Sequence, residues 1–513
     1  MRPARIFLLL AFSTVALSAQ GATSFVLQEK PGPHAVGFKV VEQYDYSRTF
    51  RGSIDVLGNP YRGERARPVQ TLIWYPAQHS AARPVTVGDY FELGKTETSF
   101  GKPQRATVFV ERFFAGTEFA QSTWAVRDAP LAAGRFPVVI YAPSFSAAAF
   151  ENFDLCEYLA SHGYVVIASP GMGVNRESTH DVVGIDAQAR DISFLIGYAQ
   201  TLPDADISHI AVAGFSWGGL SGLFAAARDN RIDALVALDG SMRYWPGLVA
   251  KAGDVHPEQM TLPLLFFSSQ ASIEDQNGME AGYPDARGAS VLNAWTHGDF
   301  VGVRMLGMVH PQFNSLTQRS EWYFENEFPK VQLADYSRAD GTVGYAWVAR
   351  YTREFLDAYL EHDATSLEFL KNTPAQNGVS PHVMGVTFRG AQPLPPSLSD
   401  FMVAVGRVGF NHADEVYAGM QTAHPGFKLE AAAVSAWGHE LLASGHLVDA
   451  VDIMRLAVQL DPSSSAYMGL AEAYLKSDQK QLSIDNYKKA LKIDPDNIFA
   501  HQILQELGSN SSK

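Results

Sequence analysis

The chain has 513 residues, with 40 Lys+Arg against 54 Asp+Glu and a formal net charge of −14. Its 46% hydrophobic and 18% charged residues exclude a wholly disordered or collagen-like chain, and at about 150 residues per domain the length accommodates two to four units. The acidic balance disfavours an extended phosphate-binding surface, so no nucleic-acid partner is expected.

Arg2 and Arg5 precede an apolar run over residues 6–17, followed by Ser18, Ala19 and polar Gln20. Charged, apolar and small-residue segments in that order predict a secretory signal peptide over 1–19, with the cut falling as late as residue 22. The run is shorter than the roughly 20 residues a membrane span needs, which disfavours an uncleaved anchor. Loss of the two arginines takes the formal charge from −14 to −16. Cys156 is the only cysteine, so no intramolecular disulfide can form. An exported chain without crosslinks fits a bacterial periplasm better than a eukaryotic secretory route. No later stretch reads as an integral membrane span.

From residue 36 to 362 short apolar runs alternate with amphipathic ones. Strands are predicted at 36–41, 71–75, 138–142, 164–168, 209–213, 234–238, 263–268 and 301–306. These runs are rich in Val, Ile, Leu and Phe, as buried parallel strands are. Helices are predicted at 152–161, 185–202, 217–228 and 346–360. The alternation predicts a mostly parallel eight-stranded α/β sheet with helices on both faces. Residues 76–136 form a long insertion that must fold into a lid, extra hairpins or a cap. Residues 270–300 form a second.

The character changes beyond 363. Pro374, Pro381, Pro393, Pro395 and Pro396 predict a linker over 372–396. Gly445, Ala457, Leu460, Asp461 and Pro462 then recur 33 residues later as Asp478, Ala490, Ile493, Asp494 and Pro495. Each unit has two helical halves and ends in Asp-Pro. The pattern resembles tetratricopeptide repeats, a small all-α domain over 426–513 with a degenerate copy over 397–425. Two repeats cannot bury a solenoid core alone. They must pack on the degenerate copy, on the α/β domain or on another subunit.

Gly214-Phe215-Ser216-Trp217-Gly218 follows a predicted strand and opens a predicted helix, the context of a nucleophile elbow. The glycines remove Cβ atoms that would clash in a tight turn, and the helix N-terminus favours negative charge there. A serine hydroxyl needs a base, in chain order serine, acid, histidine. Of 15 histidines, His310 stands just past the last strand. His162 reads as a helix-end residue, His297 precedes the strand, and His180 and His256 lie in loops. Two positions compete for the acid: Asp239 at the end of strand 234–238, and Glu274 or Asp275 in the loop after 263–268. The strand-end position is held more firmly, which favours Asp239. For the oxyanion, the Trp217 backbone N–H is the first donor. Ser144 is the expected second, because the preceding Pro143 has no N–H.

These segments together resemble the α/β-hydrolase superfamily, and within it plasma-type platelet-activating-factor acetylhydrolases and dienelactone-hydrolase-like esterases. The likeness covers roughly 36–362. It rests on Ile73-Trp74-Tyr75-Pro76, Leu159-Ala160-Ser161-His162-Gly163-Tyr164, Gly214–Gly219, Ala237-Leu238-Asp239 and Gly307–Phe313. It implies that the acid follows the sixth strand, again Asp239. It also implies a serine esterase, since dienelactone hydrolases proper use cysteine. Where that family often has His-Gly in the oxyanion loop, this chain has Ala142-Pro143-Ser144.

The expected organisation is a signal peptide, a hydrolase domain over 23–371 carrying the 76–136 insertion, a linker, and the repeats. The expected function is an exported serine hydrolase cleaving a small ester or lipid-like substrate. Alternatives are a peptidase, thioesterase or acyltransferase with the same three residues, or a non-catalytic assembly protein working through its repeats. No metal-ligand spacing and no phosphate loop are seen, so no metal or cofactor is expected. The repeats imply a protein partner or self-association.

Overall fold

In the computed structural model, residues 25–55, 57–101, 118–175, 178–269, 285 and 288–509 are described. The signal-peptide segment and the Glu274/Asp275 pair lie outside them. The chain divides into two units, Met1–Gln392 and Pro393–Lys513.

The first unit is built on one sheet. Its strands are β1 (Ala35–Thr49), β2 (Ala66–Ala77), β3 (Pro84–Thr86), β4 (Ser122–Arg127), β5 (Phe136–Ala142), β6 (Val165–Ala168), β7 (Ala205–Phe215), β8 (Ala234–Leu238), β9 (Leu264–Ser269), β10 (Phe300–Met305) and β11 (Met384–Arg389). The order across the sheet is β11-β10-β9-β8-β7-β5-β6-β2-β1-β4-β3. From β6 to β10 every neighbouring pair is parallel, and β2 runs antiparallel to both β6 and β1. Within this order sit the eight predicted strands, arranged as the α/β-hydrolase fold.

Three more strands extend that sheet. β3 and β4 come from the 76–136 insertion, which therefore widens one edge. β11 pairs antiparallel with β10 at the other edge. It falls inside 372–396, so the expected linker is corrected: that stretch belongs to the first unit as far as Gln392. Its prolines flank Met384–Arg389 and none lies within it, as an edge strand requires.

Both faces of the sheet are buried because both halves of the strand period are apolar. Val139, Tyr141, Val166, Leu265 and Phe267 face one core with Leu155 and Leu159 of α1 (Phe153–Ser161). Val138, Ile140, Val165, Leu264 and Phe266 face the other. There they meet Ile185, Ile192 and Leu195 of α2 (Val182–Ala199) and Leu220 and Leu223 of α3 (Trp217–Arg228). A slip of one residue would exchange the two sets. A long helix, α4 (Arg338–Tyr359), supplies Tyr345, Val348 and Phe355 to the first core. Register brings the strand ends level: Gly214 of β7 pairs with Ala142 of β5 and Ala237 of β8, and Leu238 with Phe267 of β9. The loops after these strands therefore open on one edge, where α/β sheets place their sites.

The second unit is helical: α5 (Leu398–Val408), α6 (Ala413–Ala423), α7 (Ala431–Ala443), α8 (Leu447–Leu460), α9 (Ser464–Lys476), α10 (Lys480–Ile493) and α11 (Ile498–Ser509). α7 to α9 and α8 to α10 are both steps of 33 residues. The turn inside each pair needs a left-handed residue, met by Gly445 (φ 83°) and Asp478 (φ 61°). The two helices that precede the repeats, α5 and α6, add a further layer, as Phe401, Val405 and Ala413 share one core with Val434, Trp437, Ile453 and Leu456. Among the described residues no helix is long and apolar enough to cross a membrane.

Candidate active site

β7 runs straight into α3 through Ser216, whose φ of 52° and ψ of −115° lie outside the comfortable regions for a side-chain-bearing residue. The surroundings hold that strain in place. The Ser216 N–H donates to the Leu238 carbonyl at 3.1 Å, and its own carbonyl accepts from the N–H groups of Ser241 (2.7 Å) and Gly219 (3.1 Å). The flanking glycines are required by space. A Cβ at Gly214 would lie 2.3 Å from the Gly218 carbonyl carbon, and one at Gly218 would lie 2.0 Å from the Ala142 oxygen.

Beyond β10, buried Met308 and the Val309 N–H, donating to Gln312 Oε1 at 2.9 Å, fix the turn that carries His310. The imidazole spans the site. Its Nε2 lies 2.9 Å from Ser216 Oγ and its Nδ1 2.7 Å from Asp239 Oδ2. Asp239 follows β8 with φ 44° and is fully buried. Its Oδ2 also accepts from Ser269 Oγ (2.8 Å), and its Oδ1 accepts from Ser269 N–H (3.1 Å) and Tyr244 OH (3.0 Å). Burial works against ionising Asp239, yet the hydrogen bond and charge of His310 and the Ser269 donors outweigh it and hold the carboxyl below its usual range. His310 shifts the other way. Burial opposes its charged form, but bonding to Asp239 and the charges of Asp239 and Glu151 raise its pKa above the ordinary histidine value. An ionised, acceptor-only Asp239 puts the imidazole proton on Nδ1, which leaves Nε2 free to accept from Ser216.

The Trp217 N–H, at the first turn of α3, has no acceptor among the described residues. Ser144 is different, and the expectation for it is corrected. Its N–H donates to Glu151 Oε2 at 2.7 Å and its hydroxyl to Glu151 Oε1, so it has no free donor to offer. The neighbouring Phe145 N–H has no partner among the described residues, and the Phe145 ring meets Trp217 edge-on at 5.5 Å. Pro143 on the same loop is held by its carbonyl, which accepts from Gln188 Nε2 at 2.7 Å. His180 stacks on Phe145 at 4.0 Å, and Trp245 lies 6.0 Å beyond it, so the three rings form an aromatic group around Trp217.

Three of the other candidate histidines are engaged away from the serine. His162 Nδ1 contacts the Tyr158 carbonyl, His297 Nδ1 the Gln392 carbonyl, and His256 pairs with Glu258. Ser269, Tyr244 and Glu151 are the functional neighbours that sequence reasoning missed. Ser269 had a signal in its place at the end of β9; Tyr244 and Glu151 had none.

Residues 101–241 match a family model described as chlorophyllase. That match runs through the oxyanion loop, Ser216 and Asp239, and it stops short of His310. It spans well under half the chain. Residues 464–497 match a tetratricopeptide-repeat model, so the helical unit carries such repeats. Among solved structures the chain resembles a ferulic acid esterase from Streptomyces cinnamoneus, at 20% identity and a TM-score of 0.48, covering 71% of this chain and 98% of that one. No curated protein sequence matches the chain.

Proposed function

We propose that this chain is an exported serine hydrolase of carboxylic esters. The observation that carries the reading is the continuous hydrogen-bonded path from Ser216 through His310 to Asp239. Ser216 Oγ attacks the ester carbonyl carbon as His310 Nε2 takes its proton. The oxyanion so formed accepts from the N–H groups of Trp217 and Phe145. Collapse expels the alcohol, which takes the proton back from His310, and leaves an acyl group on Ser216. Water, deprotonated by the same imidazole, then releases the acid. Asp239 keeps the Nδ1 proton in place throughout and stabilises the imidazolium.

The match to a chlorophyllase model over the serine and acid segments supports an ester as the bond cleaved. The arginine-led apolar N-terminus supports export, and the tetratricopeptide repeats support a protein partner or self-association. The test is a panel of p-nitrophenyl esters of rising acyl length, run beside a thioester and peptide anilides. Ester turnover that disappears in Ser216→Ala is the expected result. Turnover confined to anilides or thioesters would replace the ester reading with one of those bonds.

A further inference from the structure

The oxyanion loop, residues 143–146, and the histidine turn, residues 310–315, come from distant parts of the chain. Catalysis needs their spacing fixed to a fraction of an ångström. Between them lies a buried polar dipeptide just before α1. Glu151 is 6% exposed and Asn152 fully buried. The Glu151 carboxylate takes both donors of Ser144. On the other side, Asn152 Oδ1 accepts from the Ser315 N–H at 3.0 Å, and Asn152 Nδ2 donates to the Phe313 carbonyl at 3.1 Å. Tyr345 of α4 adds a hydroxyl to the same Oδ1. The Glu151 carbonyl accepts from the Leu316 N–H at 3.3 Å.

Both residues are used against their easier roles. Asn152 occupies the N-cap of α1, where asparagine ordinarily caps with its side chain, yet it makes no such bond. Its amide is turned to the histidine turn instead. Burial pushes the Glu151 carboxyl up to about 7, a cost that an apolar residue would avoid.

We propose that Glu151 and Asn152 are positioning residues that clamp the oxyanion loop to the histidine turn, setting the Phe145 donor and the His310 base at their working separation. The proposal rests on the ester-hydrolase reading. Under it, Glu151→Ala leaves the chain of Ser216, His310 and Asp239 intact but frees the loop behind Ser144. A misplacement of about 1 Å can reduce turnover by about 10²-fold.

The experiment measures kcat and KM on p-nitrophenyl acetate for wild type, Glu151→Ala and Glu151→Gln, per serine titrated to end point with a fluorophosphonate. Glu151→Ala should lose about 30-fold in kcat per titrated serine, with KM changed less than about threefold. Glu151→Gln should stay within about fivefold of wild type. Its amide oxygen can take the Ser144 N–H, and its NH2 can donate to the Ser144 hydroxyl. A Glu151→Ala protein with fewer titratable serines but unchanged kcat per serine would overturn the clamp in favour of a folding role. Equal losses in Ala and Gln would also overturn it, since charge and not position would then matter. If Glu151→Ala does not fold, Ser144→Ala decides, with a loss of about fivefold supporting the clamp and no loss overturning it. A wild type that neither labels nor turns over overturns the ester reading, and the clamp with it.

Discussion

Replacing Asp239 by Asn changes one atom in a site whose every contact is a donor. Oδ1 faces the Ser269 N–H, which cannot reverse, and the Tyr244 hydroxyl. Oδ2 faces His310 Nδ1 and the Ser269 hydroxyl. The asparagine carbonyl must therefore take the Oδ1 position, and its NH2 points at His310. The imidazole responds by accepting on Nδ1 and carrying its proton on Nε2, where it meets the Ser216 hydroxyl and can no longer act as base. A wrong tautomer of this kind costs about 10⁴ in kcat, or about 5.5 kcal/mol of transition-state stabilisation. The assay is p-nitrophenyl acetate hydrolysis at pH 8, with near-ultraviolet circular dichroism to verify packing. Asp275→Asn, at the acid position that competes with Asp239 in the sequence, is the control and should stay within about twofold of wild type. An Asp239→Asn enzyme keeping more than a tenth of its rate, or an Asp275→Asn enzyme falling a thousandfold, would refute the assignment of the acid.

Three further outcomes follow from the geometry. Gly218→Ala would place a methyl 2.0 Å from the Ala142 oxygen and 2.8 Å from the Pro143 oxygen, costing about 3 kcal/mol or more; an unchanged denaturation midpoint with unchanged turnover would contradict the tight-turn argument. Catalysis needs neutral His310, and its pKa is raised above the ordinary value. Activity should therefore fall on acidification through an ionisation above pH 6.5, and a profile flat from pH 8 to 6 would speak against His310 as base. Burial, with the charge of Asp154, lifts the Glu157 carboxyl to about 7 in the folded chain. This favours the folded state below about pH 4.5 and is lost as pH rises toward 7. Between pH 5 and 8 wild type should lose about 2.5 kcal/mol more stability than Glu157→Gln, measured by urea unfolding at each pH; equal losses would show that Glu157 carries no such linkage.

What the sequence could convey followed the range of the interaction. Strands such as Val138–Ala142 announce themselves because burial on both faces leaves no polar residue in the run. Ser216 and Asp239 could be singled out because each stands directly after a strand, and His310 because it lies in the turn that follows β10, a few residues past Met305; chain order then constrains their roles. β11 was hidden: only its distant partner β10 makes Met384–Arg389 a strand, and the prolines around it imitate a linker. β3 and β4 were hidden in the same way, as short additions to an edge. The Ser144 donor failed for a local reason. Reading the loop alone gives its N–H to the oxyanion, whereas Glu151, seven residues on, folds back and takes it. Asn152 looks like a helix cap and serves the histidine turn instead. Polar side chains that bind across the fold carry no periodic signature, so the supports of the site were less legible than its reactive atoms.

The proposed mechanism requires one strained serine, Ser216, to form a covalent intermediate. Intact-mass measurement after incubation with a fluorophosphonate tests it most directly. A single adduct is expected, mapped by peptide sequencing to Ser216 and missing from Ser216→Ala. A wild-type chain that remains unlabelled, or an adduct that persists in Ser216→Ala, would contradict it.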